Sequence, residues 1–381
     1  MQAYLDNSAT TRPSERVIDE MTRAMREAYY NPSSLYAPAL VPEREMNLCR
    51  DKIRRALNAK DANVYFTSGG TESNNLAIIG SVGAMRPPVR AAVSAVEHPS
   101  VLEASERLTE LGAEVVRIGV NERGELDYAQ LARELDRGLN LVSVMQVNNE
   151  TGAKTDVTRL SELVRSRCPL ARIHVDGVQG FLREEIDFRR IDLYTLSAHK
   201  IHGPKGVGAL VVRKGLRLKP LQVGGGQEES VRSGTENTYG IVGLSAAIDE
   251  MTAMTDRHEA LMRKKLRLIG EMRRRIPGIL VNGPDPEEAA AHIVNLSFPG
   301  VRGEVMLHAL EESGVYASTG SACSSKKRHV SPVLTAMGIP AERAEWALRF
   351  SLSPTTGDDE IDYAAEIAQK QYEILKRFQR R

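Results

Sequence analysis

Short apolar runs, several ending on a polar residue and most followed by a longer amphipathic stretch, recur through the first two thirds of this chain and narrow its fold more than any other feature. Residues 64–67, 89–96, 115–119, 139–147, 172–176, 193–197 and 208–212 have the length and side-chain content of strands. Several are apolar on successive positions, as strands covered on both faces must be. Helical spacing falls between them, over 74–84, 100–111, 128–136 and 157–167. This alternation predicts a parallel sheet with helices on both faces. One long helical stretch over about 240–275 then leads to a second unit, ended by Pro277-Gly278. From Ile279 onward a smaller α+β arrangement is expected, with strands at 279–281, 292–298 and 348–352 and a last helix from near Asp358. A chain of 381 residues exceeds one ordinary core and points to two domains.

Composition excludes several classes of function. The formal net charge of +1 gives no bulk electrostatic reason for nucleic acid or a membrane as main partner. No run approaches the roughly 20 apolar residues of a membrane helix, and no secretory leader is recognisable. Three cysteines, Cys49, Cys168 and Cys323, suit a reducing cytoplasm better than a disulfide framework. No cysteine or histidine spacing points to zinc, so no metal is expected.

The residues fit for chemistry cluster at the ends of the expected strands. Lys200 follows the strand ending at Ser197, inside Ser-Ala-His-Lys-Ile-His-Gly-Pro-Lys-Gly, where open α/β sheets bind ligands. It can form a Schiff base with a carbonyl cofactor. Lys205 is as plausible on chemistry alone, and either lysine taken singly reads equally as a surface residue. Asp176 closes another strand, 24 residues earlier, and can face a pyridine nitrogen; it can also be a turn cap. Gly69-Gly70-Thr71 joins a strand to a helix start whose free amides favour a phosphate. His98 can stack on a flat ring and move a proton, and Asn149 lies past a further strand end. Cys323 sits among small polar residues with Lys326, Lys327 and Arg328 after it, a setting that favours thiolate. Cys49 and Cys168 have apolar neighbours and read as structural. Arg349, a cation inside an apolar strand, needs an anion, either a substrate carboxylate or an internal partner.

Together these segments resemble the cysteine desulfurases of the class V aminotransferase family, from Tyr4-Leu5-Asp6-Asn7-Ser8-Ala9-Thr10-Thr11 to the strand at Arg349. The specific pieces are Thr-Ser-Gly-Gly-Thr-Glu-Ser-Asn-Asn from Thr67, Val-Asn-Asn-Glu-Thr-Gly from Val147, Ala-His-Lys-Ile-His-Gly-Pro-Lys-Gly from Ala198, Gly-Gly-Gly-Gln-Glu from Gly224, Arg-Ser-Gly-Thr-Glu-Asn from Arg232 and Ser-Thr-Gly-Ser-Ala-Cys from Ser318. The resemblance implies an α/β fold type I transferase dependent on pyridoxal 5'-phosphate (PLP). Its large domain, 14–255, would hold a mostly parallel seven-stranded sheet, and residues 1–13 with 256–381 would form a smaller α+β domain carrying Cys323. It further implies that Lys200 carries the cofactor and moves the substrate Cα proton. Asp176 would face the ring nitrogen, Gln179 the ring hydroxyl and His98 the ring itself. Gly70, Thr71, Ser197 and His199 would hold the phosphate, with Thr235 supplied by the second subunit of a homodimer. Asn149 would lie beside the cofactor, Arg349 would bind the carboxylate of L-cysteine with Asn31 nearby, and Cys323 would take the sulfur as a persulfide. The implied pathways are iron–sulfur cluster assembly, tRNA thiolation or thiamine synthesis, through a scaffold or sulfurtransferase that accepts the sulfur. The rival readings are a selenocysteine lyase, another class V transferase, or a non-catalytic sulfur-trafficking scaffold.

Overall fold

The computed structural model describes residues 1–320 and 330–378. A short strand β1 (Ala3–Tyr4) precedes seven others: β2 (Asn63–Thr67), β3 (Arg90–Ser94), β4 (Glu114–Ile118), β5 (Leu141–Met145), β6 (Arg172–Asp176), β7 (Leu193–Ser197) and β8 (Gly208–Val212). These seven make one sheet in the order β2-β8-β7-β6-β5-β3-β4. Neighbours are parallel except β8, which runs antiparallel to both β7 and β2. The reason is local: a parallel return needs a crossover, and the short β7–β8 connection contains no crossover helix. The expected sheet is therefore mostly parallel, with one reversed strand that hydrophobic pattern alone does not betray.

Every residue of β5, β7 and β8 is buried, as a sheet covered on both faces requires. One face packs on Cys49, Ile53, Leu160 and Leu244, the other on Ile78, Val82, Val101 and Leu108. Helix starts follow from side-chain caps. Asp127 and Asp156 accept amide hydrogen bonds at the starts of Tyr128–Asp136 and Val157–Arg167.

The long helical stretch expected over 240–275 is instead two helices, Thr238–Ala253 and Arg257–Arg275. The break has a packing cause. The first helix is apolar nearly all round and belongs to the core of the large sheet through Ile241, Leu244 and Ile248. The second is amphipathic and packs Leu261, Leu268 and Met272 into a separate core. That second core surrounds a small antiparallel sheet in the order β12-β10-β9, made of β9 (Leu280–Asn282), β10 (Ile293–Ser297) and β12 (Ala347–Ser351). β11 (Val315–Tyr316) pairs with β1, so Ala3 and Leu5 join Val294, Phe350 and Ile361 in this core. The first residues of the chain thus cross to elements more than three hundred positions later. Cys323 lies outside the described residues.

Candidate active site

Strands β2, β3, β5, β6 and β7 run the same way and end on one edge of the sheet, where α/β folds bind ligands. Asp176 ends β6 and is buried, with donors on both oxygens. Asn74 Nδ2 donates to Oδ2 at 2.7 Å, and the Val178 amide donates to Oδ1 at 3.0 Å. The same Asn74 nitrogen reaches Ser100 Oγ at 2.9 Å. The Ser100 amide donates to His98 Nδ1 at 3.1 Å, which assigns the hydrogen of the neutral ring to Nε2. Burial lowers the His98 pKa, opposed by the nearby charge of Asp176.

Lys200 follows β7 through the short turn Ala198–Lys200. Its Nζ donates to Ser8 O at 2.6 Å and Ala9 O at 2.8 Å, so the N-terminal segment crosses directly over it. Burial, then the charges of Arg349 and Arg183, depress its pKa from the ordinary 10.5 to about 8. Lys205 is exposed. Arg183, itself buried, donates to Lys200 O and fixes the backbone there. His199 Nδ1 lies 3.1 Å from Thr10 Oγ1, and burial drops its pKa to about 4, so it is neutral near pH 7.

The polar groups left over here fit a phosphorylated pyridine aldehyde. Ser197 Oγ is buried without a hydrogen-bond partner, and so is Gln179 Oε1, although Gln179 Nε2 donates to Ser8 O at 2.9 Å. Two polar atoms in such positions call for a ligand to satisfy them. Gly69 takes φ +155°, and the helix Gly70–Gly83 begins at once after it. A Cβ on Gly70 would stand 2.7 Å from Val178 Cγ2, so only glycine allows that approach. Thr71, in the first turn, is exposed. This edge has helix amides and an orphaned hydroxyl for a phosphate, and a carboxylate and a lysine for the ring.

Arg349, on β12, is 4% exposed. One guanidinium nitrogen pairs with Asp6 Oδ1 at 2.6 Å, another donates to Asn149 O at 3.0 Å, and Nε has no partner. The internal ion pair thus forms, and a donor is left over. Asn31 is exposed and turns its Oδ1 to the Ser33 amide at 2.9 Å; among the described residues no hydrogen bond joins it to Arg349. Thr235 is also exposed. Within this one chain the hydrogen bonds bring Asp176 together with His98, Lys200 with Gln179 through Ser8, and Arg349 with Asn149. They do not draw in Asn31 or Thr235.

Several residues of this network went unassigned in the sequence. Asn74 stands four residues after Gly70, hence on the same helix face one turn on, and that spacing was a usable signal. Asp6 carried no such signal, because its partner is 343 positions away. Glu97 is buried between strand ends, its Oε1 accepting from Ser94 Oγ at 2.5 Å and the Met145 amide at 2.7 Å. Burial, with Asp176 adding, pushes the Glu97 pKa up to about 8.

Comparison with known proteins agrees along the chain. Residues 3–364 match the family Aminotransferase class-V. "Cysteine desulfurase IscS" of Clostridium botulinum strain Hall is 38% identical over 374 residues, 97% of this chain and 94% of that protein. A solved "NIFS-LIKE PROTEIN" superposes with a TM-score of 0.90 at 31% identity, covering 98% of this chain and 99% of the other. "SspA in complex with cysteine" superposes with a TM-score of 0.80 at 28% identity, covering 93% and 100%.

Proposed function

We propose that this chain, which belongs to the aminotransferase class-V family and is a cysteine desulfurase, holds PLP on Lys200 and passes the sulfur of L-cysteine to Cys323. The observation that carries this reading is the meeting at one sheet edge of a half-buried lysine with depressed pKa, a buried carboxylate and a neutral histidine hydrogen-bonded through Ser100 and Asn74. When bound, PLP supplies an electron sink for charge developing on the substrate carbons. The chain's own groups do the rest. Asp176 would keep the pyridine nitrogen protonated, Gln179 Oε1 would accept from the ring hydroxyl, and His98 would hold the ring. Amides at Gly70 and Thr71, with Ser197 and His199, would hold the phosphate, and Asn149 would lie beside the cofactor.

Lys200, neutral in an appreciable fraction near its pKa of about 8, would hold the cofactor and carry the substrate Cα proton. Arg349 receives the substrate carboxylate through its Nε–H, which has no partner among the described residues, and Asn31 would assist from nearby. The Cys323 thiolate attacks the substrate sulfur. An S–S bond forms, the C–S bond breaks with its electron pair remaining on carbon, and protons complete alanine and the persulfide.

The same reading has the protein work as a homodimer. Exposed Tyr29, Leu35, Tyr36 and Val223 offer apolar area beside the segments bearing Asn31 and Thr235, and Thr235 enters the site of the second copy. Residues 14–255 act as the cofactor domain, and 1–13 with 256–381 as the domain carrying Cys323; two separate apolar cores support that division. An iron–sulfur scaffold or a sulfurtransferase in the cytoplasm takes the sulfur. Among the described residues no helix is long and apolar enough to cross a membrane.

The test is one turnover with radiosulfur-labelled cysteine and no reductant, followed by peptide mapping and the absorption spectrum. The expected result is a yellow protein with label on Cys323, and a Cys323→Ser variant equally yellow but unlabelled. A variant that still yields sulfide and alanine at the parental rate overturns the role of Cys323.

A further inference from the structure

We propose that Glu150 is a positioning residue for sulfur transfer, bonding the later stem of the segment that carries Cys323 and backing the earlier one, beside the turn whose Asn149 carbonyl accepts from Arg349. The proposal rests on the reading of Cys323 given above and adds the device that sets its reach. Glu150 is 5% exposed. Its Oε2 accepts from Ser331 Oγ at 2.5 Å, on the stem that follows the segment. On the preceding stem, Gly320 has φ +81°, and a Cβ there would stand 2.6 Å from the same Oε2. One carboxylate oxygen therefore hydrogen-bonds the later stem and packs closely against the earlier one.

The side chain is not needed to shape its own turn. The Glu150 amide donates to Asn148 Oδ1 at 2.9 Å, and the Glu150 carbonyl accepts from Asn295 Nδ2 at 3.3 Å. The turn is held by other residues, which leaves the carboxylate free to grip the stems. The neighbouring Asn149 carbonyl accepts from Arg349, and Arg349 in turn exchanges backbone hydrogen bonds with Ser318, two residues before Gly320. Substrate carboxylate clamp and stems are thus parts of one hydrogen-bonded piece. A buried acid is costly to keep unless its partners repay it. Here Ser331 answers it directly, and Arg349 offsets the burial that raises its pKa.

The experiment uses full-length, PLP-loaded protein bearing Glu150→Ala, Glu150→Gln or Ser331→Ala, and follows one turnover with radiosulfur-labelled cysteine. Two signals are read: the substrate-induced absorbance change, and label reaching Cys323. The expected outcome is an absorbance change with parental rate and KM in all three. Label transfer falls on the order of a hundredfold in Glu150→Ala, as a misplacement near 1 Å produces. It falls less in Ser331→Ala, and it stays near the parental rate in Glu150→Gln, whose amide oxygen still accepts from Ser331. Parental transfer in Glu150→Ala overturns the proposal, as does equal loss of both signals, which would mark a merely structural residue. Should Glu150→Ala not fold, parental transfer in Ser331→Ala overturns it alone. Label absent from Cys323 in the parent protein overturns the reading of Cys323 itself, a different failure.

Discussion

Asn74 Nδ2 and Asp176 Oδ2 lie 2.7 Å apart, joining the helix Gly70–Gly83 to the carboxylate that ends β6. Asn74→Ala removes that donor from a buried oxygen, a loss of about 1–3 kcal/mol. The variant is expected to bind PLP roughly ten times more weakly or worse, read by absorption titration of cofactor-free protein. An unchanged affinity would show that Asp176 does not depend on this bond.

The depressed pKa of Lys200 fixes a pH dependence for cofactor loading. Only the neutral amine attacks a carbonyl. The loading rate should rise with pH up to about 8 and then level, where a lysine at the ordinary 10.5 would keep climbing past pH 10. Lys200→Ala should show no lysine-linked absorption band at any pH, and borohydride treatment should leave no cofactor attached at that position by mass spectrometry.

Arg349 is held by Asp6 and Asn149 O, and its Nε–H has no partner among the described residues, so its fork is oriented before any substrate arrives. Arg349→Lys keeps the charge and loses the fork. The KM for cysteine should rise by about tenfold or more while kcat changes less, the signature of lost ground-state binding. Equal falls in kcat and kcat/KM would place Arg349 in the chemical step instead.

Glu97 makes the stability of the whole protein sensitive to pH. Burial raises its pKa from 4.5 to about 8 in the folded chain. Between those values the unfolded chain has released the proton that the folded chain keeps. Stability contributed by this group is therefore highest at low pH, falls as pH rises through that window, and is level above it. Glu97→Gln, which still accepts from Ser94 and Met145, should lose this slope and gain on the parent as pH climbs. Urea unfolding at intervals from pH 5 to about 8.5 tests it; parallel curves for the two proteins would refute it.

What the sequence made legible follows from what repeats along it. Strands such as Arg172–Asp176 and Leu193–Ser197 were readable to the residue, because a buried strand is a short apolar block with a polar stop. Lys200 and Asp176 stood out because each follows or ends such a block. The reversal of β8 was hidden, since an apolar strand looks the same in either direction. The break at 254–256 was hidden too, because both flanking helices keep their helical period and only their cores differ. The Asp6–Arg349 pair and the grip of Glu150 on Ser331 join residues 343 and 181 positions apart, beyond the reach of any local pattern.

The N-terminal crossing over Lys200 has a consequence for the order in which the protein is made. Asp6 waits for Arg349, and the Asn7 and Ser8 amides wait for Ser351 O and Ser351 Oγ. A ribosome emitting this chain reaches those partners more than three hundred residues after Asp6. The large sheet can assemble earlier, with Asp176 and His98 already in place, while the strap above Lys200 still lacks its partners at Arg349 and Ser351. A chain synthesised only through the large sheet therefore lacks Arg349 and the β12 contacts of the segment over Lys200. The cover over Lys200 is complete only once β12 has come back to meet Asp6, Asn7 and Ser8.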